Sequence, residues 1–210
     1  MKPMYRFLLL IFLLFCSYSC KESCTEYFIG GLTIYNPMSG NETLKYSDST
    51  GAEIAFEGNG RNVWMTTSDY SGECYESEND DCIFWDSQGD YRFIIRIRPT
   101  TFHTDAYLSV EMSDYTYNDN WHYSSLVIFN LPLDKNNLAD DQTFYDSLKV
   151  NNKMCYDVYA GTPKITTIPT LKSIELDTVL PSMLYYNSSS ALVKVDFDDG
   201  SSWELKEILN

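Results

Sequence analysis

Aromatic and polar residues are interleaved near position 120 in a composition that suits carbohydrate binding. Aromatic rings stack on the apolar faces of sugars, while neighbouring amides and carboxylates form hydrogen bonds with the hydroxyl groups. The ring-bearing members are Tyr115, Tyr117, Trp121, His122 and Tyr123, and the polar members are Asp114, Asn118, Asp119 and Asn120. The same composition is typical of a hairpin loop whose rings fold back on the core. The sequence favours the hairpin loop and leaves a glycan platform open.

A second candidate site is the acidic segment from Glu73 to Asp81. Oxygen-rich loops are the sites that Ca²⁺ prefers, because this ion takes about six to eight hard ligands. The candidate ligands are Glu76, Glu78, Asp80 and Asp81. Their spacing fits no calcium-binding loop, so we expect an exposed, charged hairpin tip and assign no metal.

Catalytic motifs are not evident in this chain. His103 and His122 stand nineteen residues apart with Asp105 and Asp119 nearby, a spacing that does not favour proton transfer or metal binding. The sequence contains no G-x-S-x-G motif, no S-x-x-K motif and no glycine-rich phosphate loop. We therefore expect a protein that is not an enzyme and that needs no cofactor.

The N-terminus has the order of a secretory signal peptide. Lys2 and Arg6 precede an unbroken apolar run over 7–15, and small residues follow. That run is about half of the roughly twenty residues needed to span a bilayer. We expect residues 1–19 to form a signal helix that is removed from the mature protein.

The residues around the expected cleavage site, Ser17-Tyr18-Ser19-Cys20, resemble the lipobox of bacterial lipoproteins. In that family a small residue precedes a cysteine that receives diacylglycerol and becomes the new N-terminus. Ser17 stands where the family usually has leucine, and plain secretion is the alternative. The resemblance implies lipidation at Cys20 and contact with the membrane through the acyl chains.

The resemblance to bacterial lipoproteins also concerns the expected location of the protein. Lys21-Glu22-Ser23 lacks the aspartate that retains lipoproteins at the inner membrane, and charged residues here resemble export tags of Bacteroides-type surface lipoproteins. The expected location is the outer membrane, facing the periplasm or the cell surface. Envelope proteins and glycans are the partners this location implies.

The charge of the mature chain argues against nucleic acid as a partner. Loss of residues 1–19 removes Lys2 and Arg6, so 13 basic residues face 30 acidic ones, a formal charge of −17. Such a surface repels phosphate backbones.

Four cysteines remain beyond Cys20, an even number that suits disulfide bonding in an oxidising compartment: Cys24, Cys74, Cys82 and Cys155. Three pairings are open. We favour Cys74 with Cys82, which would staple one loop, and Cys24 with Cys155, which would tie the tether to the body.

The segments that must position any functional site have the sequence pattern of β-strands. Apolar residues take the odd positions from Tyr91 to Ile97 and arginines take three of the even positions from 92 to 98, while Leu108, Val110 and Met112 alternate with polar residues. Aromatic residues make up 15% of the chain. We predict one all-β domain over 28–210, an antiparallel sandwich or a calycin-like open barrel, behind a tether over 20–27. Residues 138–149 could be helix or strand, and 170–177 and 182–187 look like strands.

The C-terminal hairpin can be predicted in register. A three-residue turn over 198–200, with Gly200 left-handed, places Val195 opposite Trp203 and Lys194 opposite Glu204. A two-residue turn would mix polar and apolar faces. The segment from Leu184 to Leu205 also resembles the closing hairpin of many Bacteroides-type lipoproteins, which implies an address rather than an activity.

Overall fold

A computed structural model describes residues 24–86, 91–100, 105–116, 120–167 and 179–210. Several predictions lie outside these residues: the signal peptide over 1–19, the lipidation site Cys20, the strand over 170–177, and the side chains of His103 and Tyr117. Within the described residues the chain is all-β, which confirms the predicted fold class.

The described residues form thirteen strands and one short 3₁₀ helix over Gly30–Tyr35. The strands are β1 Thr25–Tyr27, β2 Thr43–Asp48, β3 Glu53–Tyr70, β4 Glu73–Asp86, β5 Tyr91–Pro99, β6 Ala106–Thr116, β7 Asn120–Leu131, β8 Gln142–Val150, β9 Lys153–Gly161, β10 Lys164–Thr167, β11 Pro181–Asn187, β12 Ala191–Phe197 and β13 Ser202–Leu209. Residues 142–150 are therefore a strand, which decides the alternative that the sequence left open.

All thirteen strands belong to one hydrogen-bonded sheet, in the order β10-β7-β6-β5-β4-β3-β2-β13-β12-β11-β9-β8, with β1 attached to β4. The sheet is rolled. Only Thr162 and Pro163 separate β10, the first strand of this path, from β9, which lies next to its last strand, so the two ends of the sheet are close together. Rings from distant strands also meet inside, since Phe129 on β7 packs against Tyr186 on β11, with 6.4 Å between ring centroids. The single rolled sheet is consistent with the predicted sandwich and with the predicted open barrel, and we call its body the barrel.

Aromatic side chains fill the interior of the roll. Phe93 on β5 contacts two other rings there: Phe84 on β4 stacks on it with centroids 5.0 Å apart, and Phe56 on β3 lies tilted against it at 4.7 Å. The Tyr46 hydroxyl donates a hydrogen bond to the Leu192 carbonyl at 2.6 Å, which satisfies a polar group inside this apolar core.

The predicted alternation of side chains is confirmed on β5 and β6. Phe93, Ile95 and Ile97 are buried in the core, while Arg92 and Arg96 lie on the outer face. Cross-strand pairing sets the burial, because β5 is paired on both sides, by β4 and by β6.

The predicted register of the C-terminal hairpin is also confirmed. Lys194 pairs with Glu204 and Val195 pairs with Trp203. Gly200 has a φ of 85°, and its amide donates to the Phe197 carbonyl at 3.1 Å. The turn therefore has the three-residue form that keeps the apolar faces together.

Two backbone segments cross in close contact where β2 and β3 separate. The Gly58 amide donates to the Glu42 carbonyl at 2.9 Å, and the Gly60 amide donates to the Gly40 carbonyl at 2.6 Å. A Cβ atom at Gly58 would lie 2.2 Å from the Gly40 carbonyl oxygen. Glycine is needed here because neither backbone can move aside cheaply.

We predict that Gly58→Ala lowers the free energy of unfolding by about 2 kcal/mol, because the added methyl group overlaps fixed backbone atoms. Gly31→Ala is the matched control, since a Cβ atom there meets nothing within 4 Å. Urea denaturation of both variants measures the difference. Equal stability of the two would contradict the close crossing.

Candidate functional site

The long strands β3 and β4 extend beyond the barrel as a separate hairpin. β2 pairs with β3 only up to Glu57, and β5 pairs with β4 only from Asp80 onward. The remaining parts of the two strands pair with each other, and β1 adds to β4 in parallel. We call this three-stranded extension, residues 25–27, 62–70 and 73–79, the arm. Its tip is the two-residue turn Ser71-Gly72, in which both residues have positive φ.

The arm carries a disulfide between Cys24 and Cys74, next to its tip. The predicted pairings Cys74–Cys82 and Cys24–Cys155 are therefore wrong, and Cys82 and Cys155 are free. Cys74 and Cys82 lie on the same strand, where eight residues span about 26 Å and no disulfide can form. Parallel pairing of β1 instead places Cys24 beside Cys74. Closing a loop of 50 residues stabilises the fold by about 4 kcal/mol.

The acidic segment is a strand of the arm and not a hairpin tip, which corrects the predicted loop. Successive side chains on a strand point to opposite faces, so Glu76, Glu78 and Asp80 share one face and Asp81 lies on the other. Asp81 accepts hydrogen bonds from Arg96 at 2.7 and 3.1 Å. The four candidate calcium ligands are not brought together, and the described residues contain no group of three His, Cys, Asp or Glu that could hold a metal.

A buried ion pair fixes the base of the arm. The Asp80 side chain is fully buried, and its carboxylate accepts two hydrogen bonds from Arg61, one of them from Nε at 2.7 Å. Arg61 also donates to the carbonyls of Asn36 and Met38, at 3.4 and 3.2 Å. The hydrogen bonds that Arg61 donates to the Asp80 carboxylate raise the pKa of the guanidinium. These contacts join β3, β4 and the segment after the 3₁₀ helix into one unit.

Cys82 adjoins this ion pair inside the core. Its Sγ accepts a hydrogen bond from Asn36 and donates one to the Met38 carbonyl, both at 3.5 Å. Burial raises the pKa of the Cys82 thiol to about 11. A thiol that stays protonated at neutral pH is a poor nucleophile, so Cys82 is a packing residue.

The arm exposes three consecutive apolar side chains. Val63, Trp64 and Met65 are 55, 37 and 41% exposed. They lie on the β3 strand where its outer edge has no partner among the described residues. Single exposed apolar residues are ordinary, but a run of three on an unpaired strand edge is a candidate interaction surface. Sequence analysis missed the arm, although the β-rich run from Val63 to Thr67 before Ser71-Gly72 carried a signal for it.

An open polar cleft of about 560 Å³ lies elsewhere on the barrel, between the β2–β3 turn and the β8–β9 turn. Its lining residues are mostly hydroxyl, amide and charged groups: Ser47, Asp48, Ser49, Thr50, Gly51, Lys149, Asn151, Asn152, Ser202 and Glu204. Asp48 is used within its own turn, where it accepts hydrogen bonds from Thr50 and Ala52. Glu204 accepts a hydrogen bond from the Asn151 amide at 2.6 Å, so both carboxylates hold the walls in place.

The predicted glycan platform lies at the end of the β6–β7 hairpin. The backbone register sets Tyr115 opposite Trp121 and Asp114 opposite Tyr123. Tyr117 lies outside the described residues. The hairpin is confirmed as an element, and the platform stays a prediction.

No protein-family model, no curated protein and no solved structure matches this chain. Within the part of the chain that the structure describes, we find no helix of the length and apolar character needed to cross a membrane.

We predict that Arg61→Met lowers the free energy of unfolding by about 3–5 kcal/mol, because it leaves the buried Asp80 carboxylate without its counter-charge. Asp80→Asn should cost less, since Arg61 is partly exposed and keeps its carbonyl acceptors. Chemical denaturation of both variants tests this asymmetry. A smaller loss for Arg61→Met than for Asp80→Asn would show that the pair does not fix the base of the arm.

Proposed function

We propose that this chain is a lipid-anchored protein of the bacterial outer membrane whose β domain binds a partner protein through the arm, without enzymatic activity. The observation that carries the proposal is the run of exposed apolar residues Val63, Trp64 and Met65 on an unpaired strand edge. The aromatic side chains that pack inside the barrel support it, because they favour binding on the outer surface over binding in the interior.

The disulfide bears on where the proposed anchor would lie. Three residues stand between Cys20 and Cys24, so the two are at most about 14 Å apart in extended chain. Because Cys24 is bonded to Cys74 near the tip, acyl chains on Cys20 would hold the arm tip near the membrane. The base of the arm lies about 30 Å farther along β3, so the arm would separate the barrel from the lipid surface.

Two experiments in cells of the source bacterium test this function. We expect labelled palmitate to be incorporated into the wild type and lost in Cys20→Ala, because the acyl-bearing sulfur is removed.

We also expect a photo-crosslinking residue at position 64 to give a discrete adduct, whereas the same residue at the exposed position of Tyr156 gives none. Absence of the palmitate label from the wild type would contradict the proposed lipid anchor. Equal adducts at positions 64 and 156 would contradict the arm as the binding surface.

Glycan binding is a second candidate function, favoured by the register that sets Tyr115 opposite Trp121 at a hairpin end. On this hypothesis Trp121→Ala should abolish binding to a polysaccharide panel, because it removes a ring that would stack on a sugar, while the thermal midpoint stays within a few degrees of the wild type. Tyr156→Ala, at an exposed ring on β9, is the matched control. Lack of binding by the wild type across the panel would exclude this candidate.

A further inference from the structure

We propose that the free edge of β3, from Asn62 to Asp69, binds an extended basic segment of a partner protein by adding it to the sheet as a further strand. The inference rests on the proposed partner-binding function and specifies its chemistry. In this mode of recognition, backbone hydrogen bonds supply affinity and alternate side chains supply specificity.

The arm has two edges, and only one of them is covered within the described residues. β1 pairs with β4 at Thr25, Glu26 and Tyr27 and covers that edge. The Cys24–Cys74 disulfide holds β1 in place. The β3 edge has no such cover over 62–69, a length of about 26 Å.

The free edge also lacks the usual devices that keep strand edges from pairing. Proteins protect such edges with proline, with lysine or with bulges. Residues 62–69 contain no proline and no lysine, and the pairing of β3 with β4 is regular from Arg61 to Tyr70. The edge is therefore flat enough and long enough to accept another strand.

Apolar contacts are available on both faces of the added strand. Val63 pairs with Asp80 and Met65 pairs with Glu78, so both side chains lie on the face that carries these acids. Trp64 lies on the opposite face, beside Asn79. A partner strand that alternates in character would contact Met65 on one face and Trp64 on the other.

The charge on the face of Val63 and Met65 selects the partner. Glu78 lies opposite Met65 and accepts a hydrogen bond from the Ile29 amide at 3.0 Å, while Glu76 lies opposite Thr67 and Glu26 lies beside Glu76. The ion pairs found among the described residues involve none of these three glutamates. Arg61, at the base of the arm, is bound to Asp80. An added strand with lysine or arginine on this face is therefore attracted.

The same charges disfavour the other occupants. A second copy of the chain would bring its own acidic arm face against this one. Anionic lipid would also be repelled. A basic, extended protein segment can pair with the backbone of the β3 edge, contact its apolar side chains and complement its negative charge.

The test uses synthetic ten-residue peptides and the full mature chain. We expect a peptide of alternating lysine and valine to bind, and a peptide of alternating glutamate and valine to bind at least about tenfold more weakly. The bound lysine peptide should protect from hydrogen exchange those alternate backbone amides of 62–69 that point to the free edge, because the others are already paired with β4. Methylation of alternate amide nitrogens in the peptide should abolish binding, because it removes the hydrogen bonds to β3.

Matched variants distinguish peptide binding at the β3 edge from a general attraction between the basic peptide and the acidic protein. Met65→Lys should abolish peptide binding, whereas Met154→Lys, at a similarly exposed methionine on β9, should leave it unchanged. Glu26→Gln with Glu76→Gln should weaken binding, whereas Asp140→Asn with Asp141→Asn should not. Loss of binding in both charge pairs equally, or unchanged exchange of the β3 amides, would overturn the proposal.

Sedimentation of the wild-type protein alone tests whether a second copy of the chain pairs with the β3 edge. A monomer is expected, and a dimer that Met65→Lys dissociates would overturn the basic partner in favour of self-pairing. Failure of the peptide to bind while position 64 still crosslinks to a protein in cells would reject the inferred chemistry and keep the proposed function.

Discussion

The buried ion pair between Arg61 and Asp80 is the contact that joins the barrel to its extension. Asp80 stands where β4 leaves the pairing with β5, and Arg61 stands where β3 resumes pairing after the glycine crossing. A buried carboxylate needs a counter-charge and hydrogen bonds to offset the cost of leaving water. Arg61 supplies both, and it also ties the segment after the 3₁₀ helix to the base of the arm. The direction of the arm follows from this contact.

Aromatic rings from β3, β4, β5, β7 and β11 pack in the interior of the barrel, and the buried hydroxyls of Tyr46 and Tyr186 donate hydrogen bonds to the Leu192 and Tyr35 carbonyls. On the outside of the molecule, the arm presents apolar side chains and the β2–β3 and β8–β9 turns enclose a polar cleft. The two surfaces differ in chemistry, since the cleft carries hydroxyl and amide groups and the arm edge carries apolar side chains beside carboxylates.

The disulfide links the proposed anchor and the arm. It closes a loop between Cys24, four residues after the expected lipidation site, and Cys74, next to the arm tip. A disulfide between the two free cysteines would have no such effect, because Cys82 is buried in the core and Cys155 lies on β9. The same bond that stabilises the edge strand β1 therefore sets which end of the domain lies toward the proposed membrane surface.

Local patterns in the sequence determined much of the fold. The alternation from Tyr91 to Ile97 predicted a strand with one buried face, and the turn before Ser201 predicted the pairing of Val195 with Trp203, because period-two alternation and turn geometry act over a few residues. The disulfide partner of Cys74, the ion pair of Arg61 and the separation of the acidic residues onto two faces were decided by tertiary structure alone. Each depends on which strands pair beyond the barrel, and strand pairing between distant segments is set by the whole sheet rather than by neighbouring residues.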